Sequence, residues 1–379
     1  MRIALVAGEA SGDILGAALI KALRRRYPQA TFYGVAGLCM REAGCEAIES
    51  IDALSIFGLV EVLRHLPRLF KLRDALLNRF LADRPDVFIG IDAPDFNLGL
   101  ERRLKQAGIR TVHWVSPSVW AWRQNRIHGI AKSVDLMLCL LPFEQDIYHR
   151  HKISVAYTGH PLADELDDGK SAAVARRELG IAESGPVLAI LPGSRNSELH
   201  YLAEPFARAA ARLARRLPEL RFLVPLAKPG LRPVFERAVA RHAPRLNWHL
   251  LDGQSRLAMQ AADAVLLASG TAALECLLLG RPMVAAYRAS PLTAMLARIL
   301  IKIPHVTLPN LLSAEPRVPE LMQDEASPER LGHEVYCLLR HPILRELQLE
   351  QFSAVRKELK RNAADRAATA IGELLGTSD

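Results

Sequence analysis

The sequence predicts an α/β protein of two Rossmann-like domains, each a doubly wound parallel sheet. Three observations predict it. Short apolar runs stopped by Gly, Pro or Asp recur along the chain, and a helix-like segment follows most of them. The runs are near-continuously apolar rather than alternating, as strands buried on both faces read. About twelve such runs exceed what one doubly wound domain holds, and 379 residues fit two domains at roughly 150 each.

In the first half, strands are expected at 3–7, 32–36, 87–91, 111–115, 136–141 and 155–158. The first reads Ile-Ala-Leu-Val-Ala and stops at Gly8; the third reads Val-Phe-Ile-Gly-Ile and stops at Asp92. Helices are expected at 15–26 and 98–107. The polar, turn-rich stretch from Gly159 to Lys170 reads as a linker. The second half repeats the rhythm, with strands at 187–191, 221–226, 248–251, 264–267, 283–287 and 306–308 and helices at 199–217 and 272–279. The expected domains are 1–165 and 166–341. Residues 342–379 read as a polar helical tail that can pack on the first domain or on a partner subunit.

The charge balance, 49 basic against 41 acidic residues, is +8 and fits an anionic partner: a phosphate ligand, a nucleic acid or an acidic membrane surface. The 5 cysteines form no Cys-x-x-Cys, and Cys139 and Cys276 lie in apolar runs, which predicts buried thiols in a reducing compartment. Glu9 and Asp13 interrupt the apolar start before it reaches signal-peptide length. No apolar stretch approaches the roughly 20 residues of a membrane span, so the chain is expected to be soluble or to sit on a membrane surface.

Ligands of doubly wound sheets bind beyond the carboxyl ends of strands. Three such loops stand out. Gly8-Glu9-Ala10-Ser11-Gly12-Asp13 matches neither the dinucleotide fingerprint nor the P-loop. It reads equally as a strand–helix turn capped by Ser11 or Asp13 and as a ligand contact. Pro192-Gly193-Ser194-Arg195 can offer backbone N–H groups and a guanidinium to an anion. Ser269-Gly270-Thr271 opens a helix whose positive end suits a diphosphate, with Glu275 one turn on to accept ribose hydroxyls. Two anion loops in one half suggest a nucleotide diphosphate.

Asp92 ends a buried strand, where a partly desolvated carboxylate suits general-base work; Asp95 reads as a helix cap. Asp92-x-x-Asp95 is not the Asp-x-Asp of metal-dependent sugar transferases, and no His, Asp and Glu cluster has metal-ligand spacing. His113 and His160 stand alone in sequence and read as core or cap histidines. Three of the 4 tryptophans fall in the loop from His113 to Arg123, which either walls a sugar or lipid pocket or rigidifies an edge. Segment 54–82 has a wide apolar face, with Val60, Val62, Leu63, Leu66, Leu69 and Phe70 interleaved with Arg64, Arg68, Lys71 and Arg73. It reads as a basic amphipathic segment for a bilayer interface or as core packing, broken or kinked at Pro67.

Jointly, Gly8–Asp13, Gly90–Asn97, Ser116–Arg123, Leu191–Arg195, Ala268–Glu275 and Leu308-Pro309-Asn310-Leu311-Leu312 resemble the lipid-A-disaccharide synthase family, in the family's order and over nearly the whole chain. The resemblance implies a GT-B glycosyltransferase with its two domains facing a cleft. It further implies a metal-independent inverting reaction without cofactor, joining UDP-2,3-diacylglucosamine to 2,3-diacylglucosamine 1-phosphate. It makes Asp92 the base on the acceptor 6-hydroxyl. Arg195 would serve the leaving diphosphate or the acceptor phosphate, and Asn310 would be an essential polar group near the donor. Gly193, Ser194, Ser269, Gly270, Thr271 and Glu275 would hold UDP. Gly8, Glu9, Ser11, Ser116, Trp120 and Trp122 would line the acceptor side. It also implies peripheral attachment to the cytoplasmic face of the inner membrane and a homodimer with exchanged C-terminal segments.

Two rival readings stand beside it. One is a UDP-GlcNAc 2-epimerase-like enzyme of the same fold, which has little use for segment 54–82. The other is a basic nucleic-acid-binding protein, though no such module appears and the positive charge is scattered.

Overall fold

The computed structural model describes residues 1–54, 59–166, 169–300 and 303–376, with the side chains of 59–65 and 298 outside that description. It divides into two compact units, Met1–Asp164 with Glu358–Asp379, and Glu165–Lys357.

The first unit is a parallel sheet of β1 (Arg2–Ala7), β2 (Thr31–Ala36), β3 (Cys45–Ser50), β4 (Val87–Ile91), β5 (Arg110–Trp114), β6 (Leu136–Cys139) and β7 (Val155–Tyr157), in the order β3-β2-β1-β4-β5-β6-β7. Alternation along β1 divides its core. Ile3, Leu5 and Ala7 face helices Ala10–Arg26 and Ala363–Leu375, while Ala4 and Val6 face helices Leu59–Ala82 and Pro94–Gln106. Both faces are covered, which is why the strands read as unbroken apolar runs.

The second unit repeats the plan with β8 (Val187–Leu191), β9 (Arg221–Leu226), β10 (Trp248–Asp252), β11 (Ala264–Ala268), β12 (Met283–Tyr287) and β13 (Glu320–Met322), ordered β10-β9-β8-β11-β12-β13. Leu188, Ile190, Phe222, Val224 and Leu266 pack with Leu199, Leu202 and Phe206 of helix Asn196–Arg216 and with Leu331 and Val335 of helix Pro328–Arg340.

Four expectations change. The edge strand β3 escaped notice because Cys-Glu-Ala-Ile-Glu-Ser is polar and exposed. Residues 306–308 form no strand: the N–H groups of Val306 and Thr307 each donate to the Glu320 carboxylate at 3.0 Å, and Pro309 starts helix Leu308–Leu311. The sixth strand is β13 instead, and Glu320 belongs to it. Helix Leu59–Ala82 runs through Pro67 without a break, its far end anchored in the core by Leu76, Leu77 and Phe80. Asp13 caps no helix of its own; it is buried and accepts N–H bonds from Gly37, Cys39 and Met40, fixing the start of helix Leu38–Glu42.

The C-terminal stretch is shared between the units. In helix Pro342–Leu359, Gln348 bonds Met283 of β12 through both its oxygen and its nitrogen. The chain then returns to the first unit. There Asp164 accepts the N–H groups of Asn362 and Ala363, at 2.9 and 2.6 Å, and the His160 N–H donates to Leu359 O. Helix Ala363–Leu375 packs on Ala10–Arg26 of the same chain, with Arg25 paired to Asp365. Among the described residues, no helix is long and apolar enough to cross a membrane.

Candidate active site

The order of the second sheet reverses between β8 and β11, the place where such sheets bind ligands. A cavity of about 300 Å³ opens there. Its walls come from Gly193, Ser194, Arg195 and Glu198 after β8, and from Ser269, Gly270, Thr271 and Glu275 after β11. The two loops singled out as anion binders thus meet in one place.

They are not equivalent. No side chain caps helix Thr271–Leu278. Of the N–H groups in its first turn, that of Ala273 donates back to Gly270 O at 3.0 Å, while those of Thr271 and Ala272 have no intrahelical acceptor and lie at the positive helix end, on the cavity wall. In the other loop the N–H groups are already taken: Glu198 reaches back to accept from Ser194 N at 2.8 Å and Arg195 N at 3.3 Å. Gly193, at φ 116°, leaves the room that Glu198 occupies. The Pro-Gly-Ser-Arg loop therefore presents the Arg195 guanidinium, not a backbone cradle. That side chain is 78% exposed and held to Glu198 Oε1 at 2.9 Å, so it can swing to a ligand at little desolvation cost.

Glu275 is half-buried and bonded to Arg256 Nε at 3.0 Å; Arg256 Nη1 also reaches Glu165 at 3.0 Å. Sequence reading missed Arg256, Glu165 and Glu198, which no motif marks. Asn310 is buried and does not line the cavity. Its Nδ2 donates to Val318 O and Glu320 Oε1, both at 2.9 Å, and its Oδ1 accepts from Val318 N at 3.1 Å. Through Glu320 it holds the Val306–Thr307 segment, whose Val306 carbonyl accepts from Ser269 Oγ at 3.4 Å. Its side chain thus supports one wall of the site from behind.

The first sheet has its own reversal, between β1 and β4. Gly8 follows one strand and Asp92 the other. Asp92 and Ala93 both sit in the left-handed region, at φ 54° and 44°, a strained pair for residues with side chains. Three bonds hold them: Asp92 N donates to Trp114 O, Asn97 Nδ2 donates to Asp92 O at 2.8 Å, and Ala93 N donates to Asp92 Oδ1 at 2.8 Å. The Asp92 carboxylate is half-buried, and this is its only bond among the described residues. Asn97, buried, also bonds Val6 O at 3.2 Å and ties the two strand ends together.

The remaining expected residues divide. Asp95 lies in the first turn of helix Pro94–Gln106 and pairs with Arg126 at 2.7 Å, while Ala93 holds the cap position. Glu9 and Ser11 are exposed. Ser116 is buried against Tyr148 Oη at 2.7 Å, and half-buried Trp120 donates to Glu144 at 3.1 Å. Burial pushes the Glu144 carboxyl up to about 7. Trp122 is exposed, with Arg123 stacked on it at 4.4 Å. His113 is a core residue, paired with fully buried Glu101 at 2.7 Å. The side chains of Val60, Val62 and Leu63 lie outside the described residues. Leu66 and Leu69 are half-buried, and Phe70 is exposed under the Arg73 guanidinium at 4.9 Å. Among the described residues, no three His, Cys, Asp or Glu side chains gather as a metal site would require.

The family model for lipid-A-disaccharide synthetase matches residues 3–371. A lipid-A-disaccharide synthase of Xanthomonas campestris pv. campestris is 51% identical over 377 residues, covering 99% of this chain and 86% of the relative. That of Chromohalobacter salexigens is 51% identical over 375 residues, covering 99% and 97%. Among solved structures, a putative UDP-N-acetylglucosamine 2-epimerase from Listeria monocytogenes aligns with TM-score 0.68 at 13% identity, covering 100% of this chain and 97% of the other. UDP-GlcNAc 2-epimerase from Neisseria meningitidis bound to UDP-GlcNAc aligns at 0.62 and 14%, with full coverage of both chains. The glycotransferase of kitacinnamycin aligns at 0.62 and 17%, covering 98% of each. At those identities the likeness shows the fold, the GT-B architecture of glycosyltransferases and epimerases. The epimerase reading is not favoured, since its support ends at the fold. The family match and the half-identical relatives carry the assignment: this chain belongs to the lipid-A-disaccharide synthase family, glycosyltransferases of lipid A biosynthesis.

Proposed function

We propose that the chain catalyses an inverting, metal-independent transfer from UDP-2,3-diacylglucosamine to 2,3-diacylglucosamine 1-phosphate, giving the β-1′,6-linked disaccharide 1-phosphate and UDP. The observation that carries this is the uncapped start of helix Thr271–Leu278 beside Arg195 and Glu275 in one cavity. As the bond between the anomeric carbon and UDP breaks, charge grows on the β-phosphate. Oriented N–H groups and a guanidinium can absorb it without reorganising. Glu275, held by Arg256, accepts the ribose hydroxyls.

Asp92 takes the proton of the acceptor 6-hydroxyl as that oxygen bonds the anomeric carbon from the face opposite UDP. A single displacement needs no covalent nucleophile. The strained, triply held Asp92 turn supports this role, because a base must be fixed in position to act. Gly8 shapes that turn. The lipid substrates suit an enzyme peripheral to the cytoplasmic face of the inner membrane, with segment 54–82 as a lipid contact, a role consistent with exposed Phe70.

The test is a UDP-release assay with the diacylated donor and acceptor, with and without EDTA. UDP release that needs both substrates and survives EDTA is expected. Release without the acylated acceptor, or its loss in EDTA, overturns the reading.

A further inference from the structure

Helix Pro291–Leu300 leaves the second unit directly after β12. Leu292, Met295, Leu296, Ile299 and Leu300 are 64, 53, 46, 66 and 51% exposed. Their spacing of three, four, seven and eight residues puts them on one face. None of the five belongs to the apolar core of that unit. Single exposed leucines are ordinary, but five large apolar side chains on one stripe mark a surface made to be covered.

The charge around the stripe indicates by what. From Ala289 to Ser313 the sequence holds Arg298 and Lys302 and no Asp or Glu, in a chain with 41 acidic residues. An apolar stripe on a segment that carries basic and no acidic residues complements an acidic surface better than it does a second copy of itself. A helix of 10 residues is too short to span a bilayer but can lie in its interface.

We propose that this helix docks the second unit on an anionic lipid bilayer. The placement serves the site. Ala268 of β11 pairs with Ala286 of β12, so the helix leaves the same sheet edge that carries Ser269–Thr271. Docking there brings the cavity to the surface where an acylated donor resides. The inference deepens the lipid-substrate reading and rests on it for its purpose, yet vesicle binding is measured without turnover.

The test is co-sedimentation of the full chain with vesicles of equal parts phosphatidylglycerol and phosphatidylcholine, against phosphatidylcholine alone. The variant carries Leu292→Ser, Met295→Ser, Leu296→Ser and Ile299→Ser. Its partition onto the mixed vesicles is expected to fall roughly tenfold or more, with UDP affinity and melting temperature kept. A second variant, Arg298→Glu with Lys302→Glu, should weaken the same binding and flatten its salt dependence. Unchanged partition of the serine variant overturns the proposal. So does a change from dimer to monomer in light scattering without loss of vesicle binding, which assigns the face to a second copy. Failure of the donor and acceptor to react would strike the proposed reaction and leave this measurement standing.

Discussion

Gly8 packs so closely on Ala93 that a β-carbon on the glycine would overlap the alanine's. The turn after β1 thus seats against the turn that holds Asp92, where Ala93 is already left-handed at φ 44°. Gly8→Ala must drive one turn off the other. Turnover is expected to fall about 100-fold, as for a misplacement of about 1 Å. UDP affinity should hold, because Gly8 and the cavity residues belong to different units. Steady-state kinetics and calorimetric titration with UDP check both halves; full turnover would show that the Asp92 turn tolerates displacement.

Asp92 and Asn97 should separate by their pH profiles. Asp92→Asn keeps an oxygen for the Ala93 N–H but removes the base, so transfer should drop by about 10²–10⁴ with UDP binding intact. Asn97→Ala frees the Asp92 carbonyl and leaves the carboxylate. Turnover should drop about tenfold while the acid limb of the rate profile keeps its shape, since Asn97 positions and does not take the proton. Near-normal transfer by Asp92→Asn would remove it as base.

These two residues show how far the sequence reached. Asp92 was legible because an acid ending a buried strand is unusual, and Gly8 because it stops the first apolar run. The loops at both sheet reversals were legible for the same reason: strand–helix alternation dictates where they fall. What escaped depends on contacts distant in sequence. Asp13 caps a helix starting 25 residues later, and Glu320 replaces a strand pairing at Val306 with side-chain bonds. Glu198 looks like an ordinary first-turn acid until it folds back over Ser194 and takes the N–H groups that the sequence reading assigned to an anion. Local patterns carry strands and turns; they do not carry which polar groups are already satisfied.

Arg256 is the clearest such omission. It bridges Glu275 and Glu165, so the Glu275 carboxylate is held in one orientation on the cavity wall. Arg256→Met keeps the stem and removes both bonds. Glu275 then stands near an incoming diphosphate without its own paired cation. UDP should bind about tenfold more weakly, roughly 1.4 kcal/mol, the scale of a lost charge-assisted bond. The folded state should change little, because the pair is partly exposed. Unchanged UDP affinity would show that Glu275 orients without its partner.

Asn310 should behave as a support. Its Nδ2 and Oδ1 are both bonded to groups of the second unit. Asn310→Ala leaves the Val318 N–H and carbonyl without their side-chain partners, costing about 2–4 kcal/mol of stability. Activity should then fail with a lowered melting temperature, and measurements well below that temperature should recover much of it. A fully folded but inactive Asn310→Ala enzyme would instead show direct contact with substrate.

Glu144 and His160 make opposite demands on pH within the first unit. Burial raises the Glu144 carboxyl from 4.5 to about 7 and lowers the His160 imidazole from 6.5 to about 4. The stability tied to Glu144 is full below 4.5 and is lost as pH rises through about 7, because only the folded state still holds its proton in that interval. That tied to His160 is full above 6.5 and is lost as pH falls through about 4, where only the unfolded state is protonated. Across pH 5 to 6.5 the two slopes cancel, so the native chain should show a flat contribution from this pair. Glu144→Gln should unmask the histidine, and across that window stability should climb with pH by up to about 2 kcal/mol. His160→Asn, which keeps an acceptor for the Leu162 N–H, should unmask the carboxylate, and stability should fall with pH by a similar amount. Urea denaturation of both variants at several pH values reads the two signs directly, and parallel slopes in the variants would contradict the opposed pair.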